Sequence, residues 1–194
     1  MKNNFLSWNN PKHIEKVAQI LQKGGAVLGS SDTVLGLLAE VSREGVTLLN
    51  NIKERADKPY IVLIGEKGRI SDFTESVSFE VQALIDACWP GPLTLIVKTH
   101  KLVPSSITHG KGTVAIRMPR HAGILMLLRM VPALFSTSAN KSGAPVAYSI
   151  AEVDPYIIKN TQAIIVDDSK GCVNLEAKPS TIIDCTGSEL KIVR

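Results

Sequence analysis

The sequence predicts an α/β or α+β domain built on a mixed β-sheet. Six or seven short apolar runs of strand length alternate with three or four segments of helical periodicity. Hairpin signals are too few for an all-β sandwich. The chain has 194 residues, 44% hydrophobic and 21% charged, enough for one substantial core. No internal repeat, low-complexity tract or linker divides it, so a single domain over residues 1–194 is expected.

The elements follow in order. Asn10 and Pro11 read as an N-cap and a first-turn proline, and Ile14, Val17, Ala18 and Leu21 form one apolar stripe closed by Gly24-Gly25. Ala26 to Gly29 is a strand, a helix runs from about Gly45 to Glu54, and Tyr60 to Gly65 is a buried strand by length and β-branching. Phe79 to Cys88 is helical. Trp89-Pro90-Gly91-Pro92 is a rigid turn that delivers a strand over Leu93–Lys98, and Thr113–Pro119 forms another. A helical pattern covers His121 to Met130. Pro132–Ser138 is a short buried strand, and Ala163–Asp167, Ser180–Asp184 and Glu189–Val193 are three more.

Composition bounds the function. No apolar stretch has signal-peptide length at the N-terminus or the roughly 18 residues of a membrane helix, so a cytoplasmic protein without membrane contact is expected. The three cysteines, Cys88, Cys172 and Cys185, are odd in number and widely spaced, which predicts reduced, mostly buried thiols. The net charge of +4 and pI near 9.0 permit an anionic partner such as a nucleotide or RNA, with basic residues scattered rather than run together.

Three segments carry candidate chemistry, each beside a plain structural reading. In Thr113–Pro119, alternation puts Val114 and Ile116 on one face and Thr113, Ala115 and Arg117 on the other. A mid-strand arginine near a small alanine faces either solvent or a cavity holding an anion. In Phe135–Gly143, an extended chain puts Ser136, Ser138 and Asn140 on one face ahead of a Ser142-Gly143 turn. The same residues suit an ordinary polar turn. Lys53, Arg55 and Lys58 cluster at a helix end just before Pro59, where the helix dipole favours cations with or without a ligand.

Familiar motifs are missing. There is no GxxxxGK[ST], CxxC, HExxH or GxSxG, and Gly110-Lys111-Gly112 precedes a strand rather than a helix. His13, His100, His109 and His121 are too dispersed for a metal site or a nucleophilic triad, and no protein-held metal is expected.

Taken in order, these segments resemble the YrdC-like family of L-threonylcarbamoyladenylate synthases. Its first signature, Pro-Thr-Asp/Glu-Thr-Val-Tyr-Gly-Leu, is matched by Ser30 to Leu37. Its Lys-x-Arg is matched by Lys53-Glu54-Arg55, with Lys58-Pro59 following. Trp89 to Thr94, Thr113 to Pro119, Ser138-Ala139-Asn140 and Ser180-Thr181 match the remaining signatures. The resemblance spans about Gly24 to Arg194.

The resemblance implies a twisted, open, mostly parallel mixed sheet flanked by helices around a concave basic cavity. There ATP, L-threonine and bicarbonate give threonylcarbamoyl-AMP and pyrophosphate, with Mg²⁺, and other proteins pass the threonylcarbamoyl group to tRNA. It implies that Lys53, Arg55 and Lys58 hold phosphates and the leaving pyrophosphate. Arg117 would grip the threonine carboxylate, with hydroxyls from Thr33, Ser138 and Ser180 around it. Thr113, Asn140 and Arg194 would bind the nucleotide. No side-chain general base is implied. Ser30, Leu35, Ala56 and Tyr148 depart from the pattern; Leu35 replaces a tyrosine and cannot supply a phenol hydrogen bond, which points to altered threonine selectivity. The alternatives are a non-catalytic RNA- or ribosome-binding protein on the same fold, with weak tRNA or double-stranded RNA contact, and an enzyme that adenylylates another carbamate.

Overall fold

The computed structural model describes residues 4–54, 59–167 and 178–194. Its strands are β1 (Asn4–Ser7), β2 (Ala26–Gly29), β3 (Gly36–Glu40), β4 (Ile61–Ile64), β5 (Leu93–Lys98), β6 (Thr113–Arg117), β7 (Ala133–Ser138), β8 (Ala163–Val166), β9 (Thr181–Asp184) and β10 (Lys191–Ile192). The helices are α1 (Pro11–Gln22), α2 (Arg43–Lys53), α3 (Phe79–Cys88), α4 (Ser105–Thr108), α5 (Ala122–Leu127) and α6 (Pro155–Lys159). All ten strands join one mixed sheet in the order β1-β8-β2-β3-β7-β4-β6-β5-β9-β10. Four neighbouring pairs are parallel and five antiparallel, so that six strands (β1, β2, β5, β7, β8, β9) run one way.

The helix starts follow from capping. Asn10 accepts the Lys12 N–H at 3.0 Å with Pro11 at the first helical position, as the sequence predicts. Ser42 and Ser78 cap α2 and α3 through the N–H groups of Gly45 and Val81, and His121 Nδ1 caps α5 through Ile124. Two strands escape the sequence reading. β1 has only four residues on an edge, and β3 follows the polar loop 30–35 as an apolar run without alternation.

The two sheet faces carry separate cores. Ala26, Leu28, Leu37, Val62, Leu95, Ile116, Phe135 and Ile164 face Val46, Leu49 and Ile52 of α2 and Val81 and Ile85 of α3. On the opposite face Val27, Leu38, Leu63, Leu134 and Ile165 pack under Ile14, Val17 and Leu21 of α1 and Ile124 and Leu127 of α5. Among the described residues no side chain of β5, β6 or β9 belongs to this second cluster. The helices therefore cover one half of that face, and the other half stays open to become a site. Cys88 and Cys185 are free thiols and only half-buried, less enclosed than the sequence suggests, while Cys172 lies outside the described residues.

Trp8 pins the covered half. It is 5% exposed, donates its indole N–H to the Ser30 carbonyl at 3.2 Å, and lies so close to α5 that a Cβ at Gly123 would sit 2.6 Å from its ring. Gly123→Ala is expected to cost about 1–3 kcal/mol by overpacking. Gly68→Ala, where no atom lies within 4 Å of the added Cβ, should leave Tm unchanged. Thermal unfolding of the two variants side by side checks this.

Candidate active site

On the uncovered half of the sheet a cavity of ≈ 260 Å³ is lined by Ser31, Thr33, Ser136, Ser180, Arg117 and Arg194, among others. Its floor comes from side chains opposite the first core. Arg117 lies on the strand face opposite Val114 and Ile116, and Ile182 pairs with Thr94 across β9 and β5. The alternation read from Thr113–Pro119 holds, and its open question is decided: Arg117 faces a cavity.

Arg117 is held on three sides and is 5% exposed. Nε donates to the Gly91 carbonyl at 2.9 Å, Nη1 to Thr33 Oγ1 at 3.0 Å, and Nη2 to Asp32 Oδ2 at 2.6 Å. Asp32 Oδ2 also accepts the Arg120 N–H at 2.8 Å, which fixes the turn after β6. The Trp89–Pro92 turn is anchored in turn: Trp89 Nε1 donates to the Leu93 carbonyl at 2.7 Å and the Gly91 N–H to the Met118 carbonyl at 2.9 Å. Burial lowers the Arg117 pKa from its ordinary value, and the Asp32 carboxylate opposes that shift. Burial also lowers that of Arg194.

The hydroxyls around it are already committed. Ser31 Oγ donates to the Val34 carbonyl at 2.9 Å and accepts the Thr33 N–H at 3.1 Å. Its contact of 3.1 Å with Thr33 Oγ1 therefore uses the threonine's proton, so toward a ligand the Thr33 oxygen can act only as an acceptor. Ser180 Oγ shares a 2.8 Å hydrogen bond with buried Thr94, and Arg194 donates to the Ser180 carbonyl at 3.2 Å and to Oγ at 3.5 Å. Ser136, which the sequence places on the same strand face as Ser138, completes this polar lining with Ser31 and the supporting Thr94, two residues to which the sequence reading assigned no role. Hydroxyl-rich strand ends were the available signal.

The Ser-Ala-Asn turn is built differently from its extended reading. β7 ends at Ser138, whose Oγ donates to Asn140 Oδ1 at 2.5 Å, while Asn140 Nδ2 donates to the Ala144 carbonyl at 2.5 Å. Ser136 and Ser138 border the cavity; Asn140 turns away and lines a neighbouring cleft with Lys141 and Asp154. Lys53 does not border the cavity. It is 2% exposed, and its ammonium donates to the carbonyls of Ser138 at 2.5 Å and Asn140 at 2.6 Å.

Of the residues expected at the site, the cavity thus gathers Thr33, Arg117, Ser138, Ser180 and Arg194. Thr113 is half-buried at the start of β6, opposite Lys98, outside the cavity lining. Arg55 and Lys58 lie outside the described residues, as does Ala56. The departures at Leu35 and Tyr148 do not touch the cavity. Leu35 is fully buried in the first core and offers only its carbonyl, to the Ala139 N–H at 2.9 Å, and Tyr148 packs against the same core. Ser30 caps the end of β2, donating to Asp167 Oδ2 at 2.7 Å. Gly36 does border the cavity, and a Cβ there would approach the Thr137 carbonyl oxygen to 3.2 Å.

The Sua5/YciO/YrdC family model, described as "Telomere recombination", matches residues 19–194. The chain belongs to this family. It is 33% identical over 176 residues to the threonylcarbamoyl-AMP synthase of Pyrococcus abyssi, covering 89% of this chain and 51% of the relative. It is 31% identical over 176 residues to that of Thiobacillus denitrificans, covering 88% and 90%. The fold superposes on P. abyssi Sua5 complexed with L-threonine at TM-score 0.86 and 27% identity, covering 100% of this chain and 57% of that one. Escherichia coli YciO shares the fold at TM-score 0.84 and 22% identity, with 100% and 94% covered. The chain spans about half the length of the P. abyssi relative and nearly all of the T. denitrificans one. Family members thus share with this chain the sheet that presents Arg117.

The Asp32–Arg117 pair is nearly enclosed, with side chains 13% and 6% exposed. Asp32→Ala is expected to lose about 3–5 kcal/mol, because it leaves a buried guanidinium without its carboxylate. The Asp32→Ala/Arg117→Leu double variant should recover much of that loss. Urea unfolding of the wild type and both variants reads the difference.

Proposed function

We propose that the chain is a threonylcarbamoyl-AMP synthase domain, forming threonylcarbamoyl-AMP and pyrophosphate from ATP, L-threonine and bicarbonate. The observation that carries this is the three-sided anchoring of Arg117 at a cavity lined by hydroxyls and a second arginine. A guanidinium held so rigidly presents its remaining N–H groups to a planar carboxylate in a fixed orientation. Threonine is the amino acid that the named relatives' product contains, and one relative was solved with it bound. The match runs over 90% of the T. denitrificans synthase's own length, which supports the synthase reading.

The chemistry asks little covalent work of the protein. The neutral threonine amine attacks the carbon of bicarbonate and water leaves, giving an N-carboxylate. A carbamate oxygen then attacks the α-phosphorus of ATP, the P–O bond to the β-phosphate breaks, and pyrophosphate leaves with the bonding electrons. Positioning and neutralisation of charge carry such a reaction. Arg117 holds the amino-acid carboxylate with the Ser180 hydroxyl beside it, and Arg194 contacts the nucleotide. Ser138 and Thr33 offer oxygen acceptors, and Arg55 and Lys58 take the leaving phosphates. Thr113 and Asn140 flank the nucleotide without lining the cavity. Mg²⁺ would enter with the triphosphate; among the described residues no group of three or more His, Cys, Asp and Glu is placed to hold an ion. The product would pass to proteins that acylate tRNA. Among the described residues no helix is long and apolar enough to cross a membrane.

Pyrophosphate release should require ATP, threonine and bicarbonate together, with other amino acids giving little. Arg117→Ala should reduce threonine-dependent release by about 100-fold or more, the loss of a bidentate charge-assisted contact. Release without threonine, or full activity of that variant, refutes the reading. Salt-dependent RNA binding with no ATP turnover would favour the non-catalytic alternative instead.

A further inference from the structure

Among the described residues Lys53 is one of the largest fully buried side chains, at 2% exposed, and it belongs to the Lys-x-Arg signature. A cation in that signature invites assignment to phosphate. The geometry sends it elsewhere. From the last turn of α2 its ammonium reaches the end of β7 and donates to the Ser138 carbonyl at 2.5 Å and the Asn140 carbonyl at 2.6 Å. These two carbonyls bracket the Ser-Ala-Asn turn, whose side chains close on each other through Ser138 Oγ and Asn140 Oδ1. The following residue is tied to the same helix end. Lys141 Nζ lies 3.0 Å from Glu54 Oε2, at the left-handed C-cap of α2, and 3.5 Å from Asp154. The neighbours Lys53 and Glu54 therefore bind one turn at three points, residues 138, 140 and 141.

We infer that Lys53 is a positioning residue: it is a strut that fixes the Ser-x-Asn turn against the end of α2, and it does not touch the nucleotide's phosphates. This rests on the synthase reading above. A buried ammonium on two carbonyls sets where Ser138 stands at the cavity. Phosphate binding then falls to Arg55, Lys58 and Arg194. Removing the ammonium leaves both carbonyls short of a donor and frees the turn, so every ligand that leans on the turn suffers alike.

The test compares ATP with AMP. Lys53→Met keeps the length of the side chain and removes the donor, and equilibrium binding of each nucleotide is measured on folded wild type and variant. A strut predicts that both affinities fall by about tenfold, with their ratio kept within about twofold. A phosphate contact predicts that ATP loses about tenfold more than AMP, and that result overturns the inference. A second measurement needs no variant. In wild-type protein with ¹⁵N-labelled lysine, saturating inorganic pyrophosphate should leave the Lys53 ammonium resonance in place; a large shift overturns the strut. Wild-type protein that binds neither nucleotide and releases no pyrophosphate overturns the synthase reading itself, a failure distinct from a changed ATP-to-AMP ratio.

Discussion

Burying one guanidinium organises this protein. Arg117 sits on a central strand with 5% exposure, and an arginine remains charged in such a place, so the surrounding chain must supply its counter-charge and acceptors. Two separate segments do so, through three contacts. The loop between β2 and β3 gives Asp32 and Thr33, and the turn before β5 gives the Gly91 carbonyl. Each contact draws a loop over the open half of the sheet, and the cavity is the space they leave. Asp32 reaches further, to the Arg120 N–H, so the same carboxylate sets the start of the connection to α5.

A second buried cation is solved by other means. Lys53 finds carbonyl dipoles where Arg117 finds a carboxylate. Around Arg117 the pair with Asp32 is formally neutral, so the excess positive charge of the cavity lining resides on Arg194. In the proposed reaction a ligand carboxylate at Arg117 would gain orientation more than raw attraction, and anionic phosphate would gain its attraction from the Arg194 side of the cavity.

Much of this was legible in the sequence where a single period governs. Alternation over Thr113–Arg117 placed Arg117 opposite the core, and the stripe Ile14, Val17, Ala18 and Leu21 placed α1. Legibility ended where tertiary contacts bend the chain. The two-residue period carried Asn140 onto the face of Ser136 and Ser138, yet β7 stops at Ser138 because side-chain and lysine hydrogen bonds fold the next residues into a turn. Asp32 was visible as a signature residue but not as the partner of Arg117, which lies 85 positions away. Leu35 shows the opposite error: a residue inside a ligand-bearing signature that points into the apolar core.

That last case bears on selectivity. The departures from the family pattern drew attention to Leu35, but its side chain is fully buried in the first core, just before β3, and does not line the cavity. The cavity wall at that loop is made by Ser31, Thr33 and Val34 instead. Within it Thr33 has already given its proton to Ser31 and receives one from Arg117. A ligand hydroxyl placed there must therefore donate rather than accept. A β-hydroxy amino acid such as threonine can meet that demand, whereas a side chain of the same size bearing only methyl groups would leave the Thr33 lone pair unmet. Discrimination would then come from the direction of one hydrogen bond, set by a serine outside the family's tyrosine position.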